Sequence, residues 1–337
     1  MRVLVTGAFG NVGRSALEAL AEEGDEVRVL EADTARNRAL APRLARQLGQ
    51  GRHPAFDSLV LGDVRDPLVA ARALEGREAV IHLAALIPPA ADRNPDLARS
   101  VNVEGTRNLL EAARGAGGGP PRFVLALSIS IYGDRVRDFW IRVDDELRPS
   151  PGDAYGKTKV EAEALVRNSG LPFSILRLTY IVWRKKLDPD PLLFHMPPAT
   201  RLEICHTEDT GRAFAAAARS RDALGETFDI GGGESCRTDY RSYLDRMFSL
   251  FGLGGSGALP DRAFAAGGFH CGWYADSDRA EAVLGFRRRS LDDYYAEVAE
   301  ETRWKRGLAA LVRPFILSRL LAASPFLGSG PGAPGIA

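Results

Sequence analysis

Val3, Leu4 and Val5 run into the turn Thr6-Gly7-Ala8-Phe9-Gly10-Asn11-Val12-Gly13, and this turn constrains the fold more than any other feature of the chain. The short apolar run predicts a strand. Val12, Ala16, Leu17 and Leu20 then recur at helical spacing, so the strand must pass through the glycines into an amphipathic helix. Each glycine meets its own demand: a tight turn, a close approach of backbone to a pyrophosphate, and close packing of helix on sheet. The helix N-terminus then offers free N–H groups to phosphate charge. Gly7, Phe9, Gly10, Asn11, Val12 and Gly13 are therefore predicted to hold a dinucleotide.

Glu31 closes the second strand, near the roughly 20-residue offset of an acidic ribose partner. A carboxylate there accepts hydrogen bonds from the adenosine 2′-hydroxyl and repels a 2′-phosphate, which predicts NAD. Arg36 and Arg38 follow closely and leave NADP open. The alternative is a solvated loop glutamate.

Further apolar runs at Leu59–Leu61, Ala79–Leu83, Phe123–Leu127 and Phe173–Leu176 alternate with helical stretches such as Val103–Arg114 and Lys157–Arg167. That order predicts an α/β fold, a Rossmann-type doubly wound parallel sheet covered on both faces. Beyond Arg177 the pattern turns irregular. A Pro-rich loop over Leu187–Pro198 precedes an Ala-rich helix over Glu208–Arg219, a strand over Glu226–Ile230 and a helix over Thr238–Phe251. The organisation expected is a dinucleotide-binding domain with the catalytic residues over 1–176, a small substrate lobe interleaved with returning sheet elements over 177–302, and an amphipathic helix with a Gly/Pro tail over 303–337. Gly328–Ala337 is expected to be disordered.

Composition narrows the function. The 337 residues carry 44 Lys plus Arg against 44 Asp plus Glu, so there is no basic excess for nucleic acid. Cys205, Cys236 and Cys271 are far apart without metal-ligand spacing, which predicts reduced thiols, a cytoplasmic location and no metal. The N-terminal apolar run is too short for a signal peptide, and no run approaches the roughly 18 apolar residues of a membrane span.

Tyr155 and Lys159 are four residues apart, hence on one helical face. A phenol is a poor base at neutral pH, but a neighbouring ammonium stabilises its phenolate. The pair alone is a weak signal. Ser128 adds a third member at the end of an apolar strand, where a hydroxyl can hold a substrate oxygen while Tyr155 moves the proton and a nicotinamide exchanges hydride.

With Gly62-Asp63-Val64, His82-Leu83-Ala84-Ala85, Val101-Asn102-Val103, Gly105-Thr106 and Tyr132-Gly133 added in order, the chain resembles the extended short-chain dehydrogenases, the NAD-dependent epimerase/dehydratase group. The resemblance runs from Met1 to about Glu300 and includes Cys205–Asp209 and Asp276–Phe286. It implies Tyr155 as acid/base, Lys159 as its activator and ribose contact, and Ser128 as the donor to the substrate oxygen. It implies that Asp63 and Val64 face the adenine, that Leu83, Ala84 and Ala85 flank the cofactor, and that Asn102 supports it. It also implies a homodimer built on Val101–Arg114 and Ala154–Arg167.

Departures from the family pattern narrow the chemistry. Dehydratases carry an Asp-Glu pair where Ile129 and Ser130 stand, and decarboxylating relatives carry Glu at Ser130, so elimination and decarboxylation are not expected. Nucleotide-sugar enzymes place Asn near Tyr180 and a long segment before the His206 motif. Here only about 25 residues intervene. Ser130 and Tyr180 are the substrate-contact candidates. Arg184, Lys185, Lys186 and Arg201 are candidates for an anionic substrate, against the alternative of solvated charges. His82 is expected to be structural, and Thr207 to cap a helix beginning near Glu208.

The function expected is NAD(P)-dependent hydride transfer at a secondary alcohol or ketone of a small or apolar substrate. The alternatives are a nucleotide-sugar 4-epimerase and a non-catalytic dinucleotide sensor. Trp304–Phe326 is expected to meet a partner subunit, a membrane interface or its own domain.

Overall fold

The computed structural model describes residues 1–50, 56–117, 119–184 and 193–327. Seven strands form one parallel sheet: β1 (Arg2–Thr6), β2 (Glu26–Glu31), β3 (Phe56–Leu61), β4 (Ala79–His82), β5 (Arg122–Ser128), β6 (Phe173–Leu178) and β7 (Thr227–Ile230). They lie in the order β7-β6-β5-β4-β1-β2-β3. Every neighbouring pair is parallel. Chain order reverses beside β1, between β1 and β4. That is the crevice where open α/β sheets bind ligands, outside the carboxyl ends of the strands.

The strand residues divide between the two faces of the sheet. Val3 and Val5 of β1, Ile81 of β4 and Val124 and Ala126 of β5 pack on one side with α1 (Asn11–Glu22). Leu4, Val80, Phe123, Leu125 and Leu127 pack on the other. The interiors of these strands are continuously apolar because both faces are covered, which makes them visible as unbroken runs. Phe123 is fully buried. Truncating a phenylalanine so placed costs about 3–5 kcal/mol. Also flanking the sheet are α2 (Ala35–Gln50), α3 (Pro67–Leu74), α4 (Gly105–Arg114), α5 (Ala154–Arg167) and α6 (Thr207–Arg219).

The lobe is built on a third apolar cluster, centred on Tyr240, Tyr243, Phe248, Phe264 and Tyr294. It contains α7 (Tyr240–Leu250) and α9 (Leu291–Thr302), while α8 (Ser277–Leu284) returns to the main sheet's core. A three-stranded sheet, Arg237–Asp239, Arg201–His206 and Tyr180–Val182, joins lobe to domain. Among the boundaries that differ from the sequence expectation, two have a clear local cause. Residues 237–239 are strand, paired antiparallel with Arg201–Glu203, so the helix starts at Tyr240 and not Thr238. The cap of α6 is His206, whose Nδ1 accepts the Glu208 N–H at 3.3 Å, and Thr207 is already helical.

At the C-terminal end, the single amphipathic helix expected is two: α10 (Arg306–Leu311) and α11 (Arg313–Ala322). Pro314 lies in the first turn of α11, where its missing N–H costs nothing, so the chain breaks at Val312. Gly328–Ala337, Lys185, Lys186 and the first part of the Pro-rich segment lie outside the described residues.

A buried polar network ties β6 and β7 to α5 and to the turn after β5. Arg177 at the end of β6 makes a two-pronged pair with Glu163 of α5, at 2.6 and 3.1 Å, and donates to the Tyr132 hydroxyl at 2.6 Å. Tyr132 in turn donates to Asp229 on β7 at 2.7 Å. Burial pushes the Asp229 carboxyl well above its usual range. Leaving one member of such a network unpaired costs more than the network contributes, so these residues specify the arrangement more than they stabilise it.

Candidate active site

The cofactor candidates follow the carboxyl ends of four adjacent strands. Gly7 follows β1, Glu31 ends β2, Asp63 follows β3 and Leu83 follows β4, so all face one sheet edge. Gly7 has φ +71°, and a Cβ there would stand 2.6 Å from the Ala84 nitrogen. A Cβ on Gly13 would lie 2.4 Å from the Gly7 carbonyl oxygen. Both positions therefore exclude any side chain. Gly10 is the N-cap of α1 and no side chain caps it, so the first N–H groups of the helix remain available to an anion. A dinucleotide pyrophosphate fits this cradle.

Glu31 is buried, and its Oε1 accepts the Phe9 N–H at 2.6 Å. Phe9 therefore spends its backbone donor on Glu31 and its ring on the core. The second carboxylate oxygen accepts from Asn37 Nδ2 at 3.3 Å, a long bond that leaves it accepting capacity for a ribose hydroxyl. Burial raises the Glu31 pKa, partly offset by the Phe9 N–H. Asn11 is exposed and Val12 half-buried at the start of α1, while Leu83, Ala84 and Ala85 are half-buried. Asp63 is exposed and pairs two-pronged with Arg65, and Val64 is buried against Gly105.

His82 has no free nitrogen to offer a substrate. Thr106 donates to the Asn102 carbonyl at 2.6 Å, so its oxygen accepts from His82 Nε2 at 3.0 Å. Nδ1 then accepts from the Thr6 hydroxyl at 2.7 Å, and Thr6 accepts the Ala84 N–H at 3.2 Å. This assignment follows from the donors around the ring. Burial lowers the His82 pKa to about 3, so the imidazole is neutral and structural. Asn102 completes the girder. Its Oδ1 accepts the Leu86 N–H at 2.7 Å, and its Nδ2 donates to the Leu86 carbonyl and to Thr158 of α5. The segment flanking the cofactor is thus pinned to the helix that carries Tyr155.

Ser128, Tyr155 and Lys159 come together. Ser128 and Tyr155 line one cleft, and Lys159 Nζ stands 5.6 Å from the Tyr155 ring centroid. Nζ donates to the Ala126 carbonyl at 2.9 Å, which holds the ammonium at the end of β5. Burial pushes the phenol up, with the Asp153 carboxylate adding to the effect and the Ser128 hydroxyl opposing it. Burial lowers Lys159 to about 8.

These groups open into a cleft of about 490 Å³. Ser130 lines it, and its hydroxyl is buried with no partner among the described residues. An unsatisfied hydroxyl in a cleft wall is a site for a ligand's polar atom. Tyr180 is elsewhere: it packs edge-on to Tyr243, 6.0 Å between ring centroids, within the lobe cluster. Arg184 is committed to Glu300 and Glu301, and Arg201 lies over Phe139 and Trp273, so neither lines the cleft. Among the described residues no group of three His, Cys, Asp or Glu is placed to hold a metal.

The wall also contains residues that sequence reasoning missed: Asp92, Asp153, His195, Phe269, His270 and Phe326. Asp153 had a readable signal, since it stands two residues before Tyr155 and caps α5 through the Gly156 N–H at 2.6 Å. Burial, with Asp92 adding like charge, raises it to about 6. His195, His270 and Phe326 lie far apart in sequence and carry no local signal.

Residues 3–191 match the NAD dependent epimerase/dehydratase family. L-arabinose 1-dehydrogenase (NAD(P)(+)) of Haloferax volcanii is 33% identical over 207 residues, covering 56% of this chain and 72% of that protein. A 3-beta-hydroxysteroid dehydrogenase of Mycolicibacterium neoaurum is 33% identical over 178 residues, covering 49% of this chain and 42% of the relative. A short-chain dehydrogenase/reductase superfamily protein from Agrobacterium tumefaciens, solved with bound NAD, superposes with TM-score 0.69 at 26% identity, covering 93% of this chain and all of its own. The glycine cradle, the Ser128–Tyr155–Lys159 cluster and a family match over more than half of the sequence agree: the chain belongs to the NAD dependent epimerase/dehydratase family.

Proposed function

We propose that the protein is an NAD-dependent dehydrogenase or reductase acting at a secondary alcohol or ketone carbon of a small or apolar, uncharged substrate. The observation that carries the choice of substrate class is the cleft wall. Among its described residues are two carboxyl groups, Asp92 and Asp153, and, besides Tyr155, four aromatic or imidazole faces at His195, Phe269, His270 and Phe326, but no Lys or Arg. A nucleotide diphosphate needs cations there, and desolvating its charge beside two acids would be costly. The steroid dehydrogenase among the relatives acts on a substrate of apolar type, which supports the same reading.

Bound NAD would supply the hydride acceptor, and the reduced form the donor. Its pyrophosphate would sit over Gly7, Gly10, Asn11 and Val12 at the start of α1, and its ribose hydroxyl on the open oxygen of Glu31. Asp63, Val64 and Leu83 to Ala85 would flank the remainder, with Asn102 holding that segment. Ser128 Oγ and Ser130 Oγ would hold the substrate oxygen. Tyr155 Oη would take the hydroxyl proton in oxidation and return it in reduction. The Lys159 ammonium would stabilise the phenolate formed between these steps, and its alternative partner, Ala126 O, keeps it in place meanwhile. The protein would act as a homodimer through Val101–Arg114 and Ala154–Arg167.

A panel of secondary alcohols graded from hydroxy acids and free sugars to sterols, each with NAD, tests this by the appearance of reduced nicotinamide. Turnover rising with apolar size is expected. Interconversion of nucleotide sugars, with NAD remaining bound throughout, would overturn it.

A further inference from the structure

We infer that α10, the Val312 break and the start of α11 form a docking surface for an anionic lipid bilayer. Ten large apolar side chains stand exposed among the described residues, and five of them fall between 304 and 315. Trp304 is 71% exposed, Leu308 65%, Leu311 80%, Val312 51% and Phe315 68%. Scattered single exposures need no explanation, but a contiguous group marks an interaction site.

The patch is not a failure of the segment to pack. On the other side of α11, Leu317 is buried, and Ile316, Leu320 and Leu321 pack against the lobe cluster together with Phe326. Ser324 Oγ donates to the Ala263 carbonyl at 2.6 Å and fastens the end of the hairpin. The hairpin therefore has two apolar sides, one satisfied by the lobe and one facing outward. Outward-facing Trp, Leu and Phe on a fixed scaffold are suited to the boundary between headgroups and acyl chains.

Charge selects the occupant. From Arg303 to the end of the sequence there are five cations, Arg303, Lys305, Arg306, Arg313 and Arg319, and no Asp or Glu. All five are exposed, and among the described residues none forms an ion pair with a carboxylate. Lys305 stands over the Trp304 ring at 4.8 Å, which puts cation and aromatic at one level. The chain as a whole has no net charge. A local excess of this kind, interleaved with exposed apolar groups, complements anionic headgroups above acyl chains. A partner protein's apolar patch would gain nothing from five unpaired cations.

The surface is also joined to the cleft. Phe326 follows α11 and lines the cavity beside Tyr155, with the His195 ring 5.6 Å from its own. Docking of α10 and α11 would bring the cleft near the bilayer, from which an apolar alcohol or ketone partitions. That supply of substrate rests on the function proposed here; the docking itself does not.

Co-sedimentation of the full chain with vesicles of phosphatidylcholine, with and without about one-third phosphatidylglycerol, tests the docking without requiring turnover. Binding to the anionic vesicles alone, weakened by salt, is expected. Leu311→Gln with Phe315→Gln should abolish it, and Lys305→Gln with Arg319→Gln should weaken it roughly tenfold. These side chains lie outside the catalytic cleft, so melting temperature and NAD binding should not change. A chain that stays in the supernatant with anionic vesicles overturns the inference. So does wild-type dimer that the Leu311→Gln, Phe315→Gln pair converts to monomer, because the patch then covers a second copy. Vesicle binding by a protein that fails to reduce NAD would sink the proposed function and leave the docking surface standing.

Discussion

The cofactor edge and the cleft wall are built on opposite principles, although they meet at Tyr155. On the edge, a few neighbouring residues meet steric demands that admit one solution. Gly7 and Gly13 lie against backbone atoms with no room for a Cβ, and His82 is held between two threonines with both nitrogens committed. The wall draws Asp92, Asp153, His195, Phe269 and Phe326 from across the chain, and of these Phe269 and Phe326 are held by packing in the lobe cluster. Backbone constraint leaves a motif in sequence. Packing of distant loops leaves none, and it can vary without disturbing the fold.

The sharpest way to break that comparison is Tyr155→Phe. Removing the phenol should lower kcat by about 10²–10⁴-fold, the range of general acid–base catalysis, while NAD affinity stays within a few-fold. Turnover and isothermal titration on one preparation decide it. If NAD affinity collapses as well, edge and wall are one structural unit and the contrast is false.

A second test lies wholly on the edge. Gly13→Ala forces a methyl to within 2.4 Å of the Gly7 carbonyl oxygen. Overpacking of this kind costs about 1–3 kcal/mol, and the strain falls on the pyrophosphate cradle. Denaturant unfolding should show the lost stability, and NAD titration a weakened Kd. The matching test on the wall is Phe326→Ala. It should raise KM for an apolar substrate about tenfold, with kcat nearly unchanged, because it removes binding shared by ground and transition states. A fall in kcat without a change in KM would show that Phe326 positions the reacting groups.

The same contrast explains what sequence reading could reach. β1, β4 and β5 were legible because both faces are buried, so nearly every position is apolar. Arg201–His206 was not, since its polar residues point inward. Glu203 is fully buried, paired with Arg237 at 3.0 Å and accepting the Gly233 and Tyr274 N–H groups. Arg201-Leu202-Glu203-Ile204 alternates only over four residues, and nothing local shows that its carboxylate is buried. Thr238 and Asp239 of its partner strand read as the start of the following helix, since pairing with a strand about 35 residues away is invisible locally. Ser128, Tyr155 and Lys159 lie together as their strand end and helix spacing imply. Tyr180 was proposed for the substrate from its place after Leu176-Arg177, yet its side chain turns toward Tyr243 in the lobe. Side-chain direction at a strand end depends on the lobe packed against it, which a local pattern does not contain.

The last test concerns pH, and it comes from Lys159, which stands beside Tyr155 where edge and wall meet. Burial lowers Lys159 to about 8, against an ordinary value of 10.5. Between those values the unfolded chain binds the proton and the folded chain has released it. Stability from this group therefore rises as pH climbs from about 8 toward 10.5, and below about 8 the folded protein bears the cost of a buried charge. Catalysis in the reducing direction should move the opposite way. Once the ammonium is lost, nothing opposes the charge that develops on Tyr155 as it gives up its proton, so kcat should fall above about pH 8. Thermal melting and kcat measured over the same pH range should cross in this manner. Lys159→Met should flatten the melting profile over that interval. If the two wild-type profiles rise together, the ammonium is not what makes Tyr155 a usable acid, and the cofactor edge reaches the reaction by another route.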